Sequence, residues 1–115
     1  MNNKSECPPI PMSPDHLAQE FAKRIAGQWH YVYDHKKWFH FDGEKWQLGR
    51  VEAIMDMARR FCREAVYWPE AKYITESKKR SISSNISSVL ELTKYDRLIA
   101  TTSEKIGLPP PKNKK

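Results

Sequence analysis

The sequence has little of what metal-binding, disulfide-stabilised and membrane proteins rely on. Its 115 residues include two cysteines and four glycines. Cys7 lies in a proline-rich stretch and Cys62 in an apolar helical pattern, so they form neither a disulfide framework nor a Cys-x-x-Cys motif. No run approaches the ~20 consecutive apolar residues of a membrane-spanning helix, and the N-terminus has no apolar stretch of signal-peptide type. We therefore expect a cytoplasmic protein that makes no contact with a membrane.

Catalytic and nucleotide-binding motifs are also missing from the sequence. There is no GxxxxGK[ST] loop, no GxGxxG after a predicted strand, and no recognisable pairing of a nucleophile with a base. The histidines His16, His30, His35 and His40 do not occur at metal-ligand spacing, and the strand pattern places His30 and His40 on opposite faces. The sequence predicts a protein that is not an enzyme and that uses no cofactor and no metal.

Proline and charge divide the chain into a body and two ends. Seven of the eight prolines lie near the ends, and three of the six net positive charges come from lysines of the last residues. This composition predicts a disordered proline-rich leader over 1–13, a single small domain over 14–108 and a disordered basic tail over 109–115. The body itself is only mildly basic.

The periodicity of apolar residues predicts an α+β fold with one N-terminal helix, a three-stranded antiparallel meander and a helical C-terminal half. Ser13 and Pro14 are typical of a helix start, and Gly27 of its end, which places the first helix at about 14–26. Aromatic and β-branched runs between 29 and 48 indicate the strands. Further helices are predicted at about 51–66, 70–80 and 82–95, with a last short turn over 96–103.

Two-residue turns at 35–36 and 42–43 would fix the register of the meander. Val32 would then face Phe39, Trp46 would lie beside Phe39, and these three side chains would form the core face. Gly43 would occupy a turn position that requires a positive φ.

Aromatic and basic side chains are the candidates for a functional surface. Seven of the thirteen aromatic residues lie between 29 and 46, and they either fill the core or leave Tyr31, Tyr33 and Trp38 exposed to stack on single-stranded bases. Arginines and lysines on the later helices either form a solvated face or contact phosphates. Asp56 and Glu64 can pair with Arg60, which leaves Arg59 and Arg63 free on the predicted helix. The candidates for phosphate contact are Arg59, Arg63, Lys78, Lys79 and Arg80.

The order of residues in the sequence resembles the pattern of a known protein family. The segment HLAQEFAKRIAGQWHYVYDHKKWFHFDGEKW at 16–46 is similar to the domain that precedes the superfamily 3 helicase in phage and plasmid primase-helicases and in the related poxvirus protein. MARRFCREAV at 57–66 and the segment ISSVLELTKYDRLIATTSEKIG resemble later parts of that domain. One departure is Phe41, where the family usually has tryptophan. The matching positions are Tyr31, Val32, Lys37, Trp38, Asp42, Gly43 and Trp46.

This resemblance implies a non-catalytic accessory domain that acts in phage or plasmid DNA replication. Its expected partners are replicative helicase or primase subunits, and single-stranded DNA in addition or instead. In the family a helicase follows this domain, whereas here the sequence continues into GLPPPKNKK, which indicates an excised domain, a split gene or a decayed gene. The alternative is a truncated mobile-element remnant, or a stand-alone protein-interaction module, with no activity of its own.

Overall fold

The computed structural model describes residues 12–110 and has an α+β fold, as the sequence predicts. The sheet is mixed and has four strands in the order β3-β2-β1-β4, rather than the three expected. In the described part of the chain, no helix is both long and apolar enough to cross a membrane. The elements are α1 (Pro14–Ile25), β1 (Trp29–Val32), β2 (Lys37–Phe41), β3 (Trp46–Leu48), α2 (Val51–Ala65), a 3₁₀ turn (Pro69–Tyr73), α3 (Glu76–Ser84), α4 (Ile86–Thr93), β4 (Ala100–Thr101) and a second 3₁₀ turn (Glu104–Ile106).

The first helix begins where its capping residue predicts. The Ser13 hydroxyl accepts a hydrogen bond from the backbone N–H of His16, and Pro14 occupies the first helical turn, where its missing N–H costs nothing. The folded part starts earlier than the expected boundary at 14, because Met12 is buried in the core. The rest of the expected leader, residues 1–11, and residues 111–115 of the expected tail lie outside the described residues.

The register of both hairpins differs from the prediction by two residues. Val32 pairs with Lys37 instead of Phe39, and Trp46 pairs with Phe41 instead of lying beside Phe39. Each connecting loop has four residues, 33–36 and 42–45, where two were expected. Gly43 has a φ of +102°, which confirms that its turn requires a positive φ.

The face of the sheet that packs on the helices is the opposite of the predicted one. Trp29 and Trp38 belong to the hydrophobic core that the helices share, and Tyr31 packs against it. The predicted core face is wrong for Trp46, which is only half-buried on the other side of the sheet. The shift by two residues keeps alternate side chains on a common face, so it changes neighbours without changing faces.

Val32 and Phe39 are nevertheless buried, on the face away from the helices. The His35 ring lies 5.3 Å from the Phe39 ring, and its Nε2 donates a hydrogen bond to the Pro109 carbonyl oxygen (2.9 Å). The Asp34 carboxylate accepts hydrogen bonds from the backbone N–H and the hydroxyl of Ser103. These contacts hold the C-terminal segment beside Phe39.

The helical half departs from the prediction at three places. The helix expected over 70–80 is replaced by the 3₁₀ turn and by α3, which begins only at Glu76. Asn85, with a φ of −102° and a ψ of 19°, separates α3 from α4, so the single helix expected over 82–95 is divided. The expected short turn over 96–103 contains β4, which pairs with β1 in parallel. The three helices α1, α2 and α4 bury Phe21, Phe61 and Val89 in the common core.

Candidate nucleic-acid interface

A groove of about 580 Å³ lies between the C-terminal end of α2 and α3, and it contains three of the predicted phosphate-binding residues. Arg63 comes from the last turn of α2, while Lys79 and Arg80 come from α3. Tyr67, which follows α2, lines the same groove and is 88% exposed. The fold thus brings basic side chains that are distant in sequence around one exposed aromatic ring.

The connection between α2 and α3 determines how the groove is built. Trp68 is held by aromatic contacts, with ring centroids 5.3 Å from Phe61 and 6.3 Å from His16. Anchoring of Trp68 leaves its neighbour Tyr67 in solvent. The 3₁₀ turn that starts at Pro69 then leads the chain into α3.

The start of α3 is fixed by a side-chain cap. The Thr75 hydroxyl accepts a hydrogen bond from the backbone N–H of Lys78 (3.0 Å), one of the donors that the first turn of a helix leaves without a partner. The buried side chain of Ile82 turns one face of α3 toward the core, and in this orientation Lys79 and Arg80 line the groove whereas Lys78 does not. Lys78, although predicted to contact phosphate, therefore lies outside the groove.

The groove carries a positive charge excess. Its lining has the three cations Arg63, Lys79 and Arg80 and the single acid Glu76, which pairs with Lys79 at 3.3 Å. Within residues 12–110, Arg63 makes no ion pair, and its charge is available to a ligand. The ion pair of Lys79 with Glu76 is surface-exposed on the acid side, so it competes only weakly with a phosphate.

The predicted pairing of the arginines on α2 is wrong. Arg59 is not free, because its guanidinium binds the Asp56 carboxylate three residues earlier at 2.8 Å. Glu64, the other acid expected to pair with Arg60, instead binds Arg24 of α1 at 2.7 Å. Arg59 does not line the groove, so Arg63 is the only member of that predicted pair that does.

The predicted stacking face of Tyr31, Tyr33 and Trp38 is not an open platform. Trp38 is 4% exposed because it packs into the core, and Tyr31 is half-buried beside it, with ring centroids 5.4 Å apart. Tyr33 is 37% exposed, but its hydroxyl donates a hydrogen bond to the Lys94 carbonyl oxygen (3.1 Å) and its ring packs on Tyr95. The prediction of an exposed face is wrong for Trp38, which is buried.

Two aromatic features were missed at the level of sequence. Trp46 packs on Phe41 and His30 on the outer face of the sheet, with centroids 5.2 and 4.7 Å away. Tyr67 is the first of two adjacent aromatic residues, followed by Trp68 and Pro69, at the end of a helical pattern. An aromatic pair before a helix-ending proline was the available signal, but it does not say which of the two rings is exposed.

Two kinds of reactive group can be checked in the described residues, a metal-binding cluster and the Cys62 thiol. No group of three or more His, Cys, Asp or Glu side chains within residues 12–110 is arranged to hold a metal ion. Burial raises the pKa of the Cys62 thiol to about 11, so that it remains protonated and a poor nucleophile at neutral pH.

Comparisons with known proteins add no relative to these observations: no family model, no curated protein and no solved structure matches this chain.

Proposed function

We propose that the protein is a non-catalytic accessory domain that binds single-stranded DNA in the cytoplasm, as part of replication of the phage or plasmid primase-helicase type. The observation that carries the proposal is the convergence of Arg63, Lys79 and Arg80 around the exposed ring of Tyr67. The resemblance of residues 16–46 and 57–66 to the domain before the superfamily 3 helicase supports the replication context.

The composition of the groove matches the two parts of a nucleotide. Guanidinium and ammonium groups bind phosphate oxygens, and such contacts release counterions from the strand. An exposed tyrosine ring offers a face on which any base can stack, which contributes about 1–3 kcal/mol per base. Because neither interaction reads the edge of a base, we expect little sequence preference.

The experiment is fluorescence anisotropy of the purified chain with a labelled oligothymidylate at several salt concentrations. The affinity should fall with a log–log slope of about −0.7 per phosphate contact, so two to three contacts give a slope of about −1.4 to −2.1. Tyr67→Ala should weaken binding by about 1–3 kcal/mol while leaving the salt slope unchanged, because the ring carries no charge.

The decisive comparison uses two arginines of the same chemistry. Arg63→Gln removes a cation from the groove, whereas Arg97→Gln removes an exposed cation that does not line it. We expect Arg63→Gln to lower both the affinity and the salt slope, the latter by about 0.7, and Arg97→Gln to do neither. Equal effects of the two variants would reduce the interaction to general charge attraction, and an absence of binding would leave a protein-docking module as the better hypothesis.

A further inference from the structure

A second cleft, of about 510 Å³, opens at the other end of α2 between the sheet and α4. Its volume is within the range of about 300–1,000 Å³ that is typical of small-ligand sites. Its walls are aromatic and apolar, and they come from both sides of the cleft. The lining includes Tyr31 and Trp38 of the sheet, Val51 and Met55 of α2, and Leu90 of α4.

Lysines surround these apolar walls. Lys36, Lys37 and Lys94 line the cleft together with one acid, Glu91, which is already paired with Lys94 at 3.1 Å. Lys94 also lies over the Tyr31 ring, with its Nζ 4.9 Å from the centroid. In the described part of the chain Lys36 and Lys37 have no ion pair, so the rim carries an uncompensated positive charge.

The backbone at Lys36 adopts a conformation that is unusual for a residue other than glycine. Its φ is +58°, in the left-handed region that disfavours side chains with a Cβ. The conformation is enforced because the backbone N–H of Lys36 donates to the Val32 carbonyl oxygen (2.7 Å) at the end of the four-residue loop. Glycine or asparagine suits this position better, so a lysine here costs folding stability.

We propose that this cleft is a binding site for an aromatic base that carries phosphate, either a free nucleotide or the 5′-terminal nucleotide of a DNA strand. The apolar walls accept the flat base, and Lys36 and Lys37 bind the phosphate at the rim. Charge complementarity selects the anion, since the lysines outnumber the single, already paired acid. The site does not depend on the groove between α2 and α3: Val51 and Arg63 lie ~18 Å apart along the helix axis.

The test is an amide and indole NMR titration of the full chain with deoxyadenosine monophosphate. Saturable shifts are expected at the Trp38 indole N–H and at the amides of Lys36 and Lys37, and much smaller ones with deoxyadenosine, which lacks the phosphate. A 5′-phosphorylated trideoxyadenylate and its unphosphorylated form distinguish the two sources. Preference for the phosphorylated trinucleotide over the mononucleotide identifies a strand end, and the reverse preference identifies a free nucleotide.

Lys36→Gly separates a binding role from a structural one because it should move two readouts in opposite directions. Removing the strained side chain should raise the Tm, by about 4 °C, and weaken the binding of deoxyadenosine monophosphate about tenfold. Lys105→Gln, which removes an exposed lysine outside the cleft, should change neither. Arg63→Gln should leave the shifts at Trp38, Lys36 and Lys37 unchanged. A negative result at the cleft and a negative result for DNA binding in the groove are therefore distinguishable.

Three outcomes would overturn the proposal. The first is the absence of shifts at the cleft with millimolar mononucleotide, and the second is equal binding of deoxyadenosine and its monophosphate. The third is wild-type affinity in Lys36→Gly, which would leave the lysine as a strained loop residue without a ligand.

Discussion

Adding a methyl group at Gly49 is expected to destabilise the protein, although the backbone there is one that other residues can adopt. A Cβ built on Gly49 would lie 2.5 Å from Cζ3 of Trp29 and 3.2 Å from the carbonyl oxygen of Trp38. Neither the Trp29 ring nor the Trp38 carbonyl group can move away easily. Trp29 is 4% exposed within the core, and the Trp38 carbonyl accepts a hydrogen bond from the Gly49 N–H at 2.8 Å.

The expected change in the free energy of unfolding on Gly49→Ala is the sum of two opposing effects. Replacing glycine with alanine at an unstrained, open position stabilises a protein by about 0.4–1 kcal/mol, because the unfolded chain loses freedom. Forcing an extra carbon into a well-packed core typically costs about 1–3 kcal/mol. The contact with Trp29 is far below any normal carbon–carbon distance, so the second effect dominates. We expect Gly49→Ala to lower the free energy of unfolding by about 1–2 kcal/mol.

The assay is urea unfolding followed by circular dichroism, with a double-mutant cycle to identify the cause. Trp29→Phe removes the outer indole ring atoms that the new methyl group would meet, at a cost of its own. In that background Gly49→Ala should be close to neutral, giving a coupling energy of about 1 kcal/mol or more between the two sites. A loss that is equal in both backgrounds would refute the steric argument, and a stabilised Gly49→Ala would refute it outright.

Two further predictions concern the sheet and its contact with the C-terminal segment. Trp38→Ala should cost about 3–5 kcal/mol of unfolding free energy in the same urea assay. Trp46→Ala, which loses contacts with His30 and Phe41, should cost about 1–2 kcal/mol. Equal losses would contradict the assignment of faces. The hydrogen bonds from Ser103 lower the pKa of Asp34 below its usual 3.8, so the carboxylate stabilises the fold above that pH and the effect is lost as the pH falls through the folded-state pKa. Asp34→Asn should therefore be less stable than the wild type at pH 7 and approach it below about pH 3.8, as measured by thermal unfolding across pH; a constant difference at all pH values would contradict this.

The periodicity of the sequence was sufficient for α1, α2 and the first three strands, but not for β4, for the break at Asn85 or for the orientation of the sheet. Alternation correctly places Val32, Phe39 and Trp46 on one face, because a shift of two residues preserves alternation. It does not say which face turns toward the helices when both are aromatic. That choice depends on Trp29 and Trp38, which fit between the helices.

The predicted loop lengths were wrong because local hydrogen bonds close both loops at four residues. The Val32 carbonyl accepts hydrogen bonds from both His35 and Lys36, which closes a four-residue loop with a left-handed lysine at its end. In the second loop the Asp42 carboxylate accepts the backbone N–H groups of Glu44 and Lys45, and these bonds lower its pKa. Side-chain and backbone bonds of this kind leave a weaker signal in sequence than the Asp-Gly dipeptide that predicted a two-residue turn.

The candidate interface was predictable only in part. Charge and spacing indicated Arg63, Lys79 and Arg80, but their meeting depends on how the chain bends after α2. That bend is set by the packing of Trp68 on Phe61 and by the Thr75 cap, and both are tertiary or local contacts without a distinct periodic pattern. Tyr67 becomes important only because this bend leaves it in solvent beside the three cations.

The parallel pairing of β4 with β1 makes the order of synthesis matter for folding. Strand β1 lies between β2, which follows it at once, and β4, with the Tyr31↔Ala100 pair separated by most of the described chain. A chain growing from its N-terminus can form both hairpins early, but one edge of β1 stays open until Thr101 has emerged. Closing so long a loop is slow compared with forming a hairpin. The nascent protein therefore presents an unpaired strand edge until Thr101 has emerged, and during that time it is most exposed to pairing with another chain.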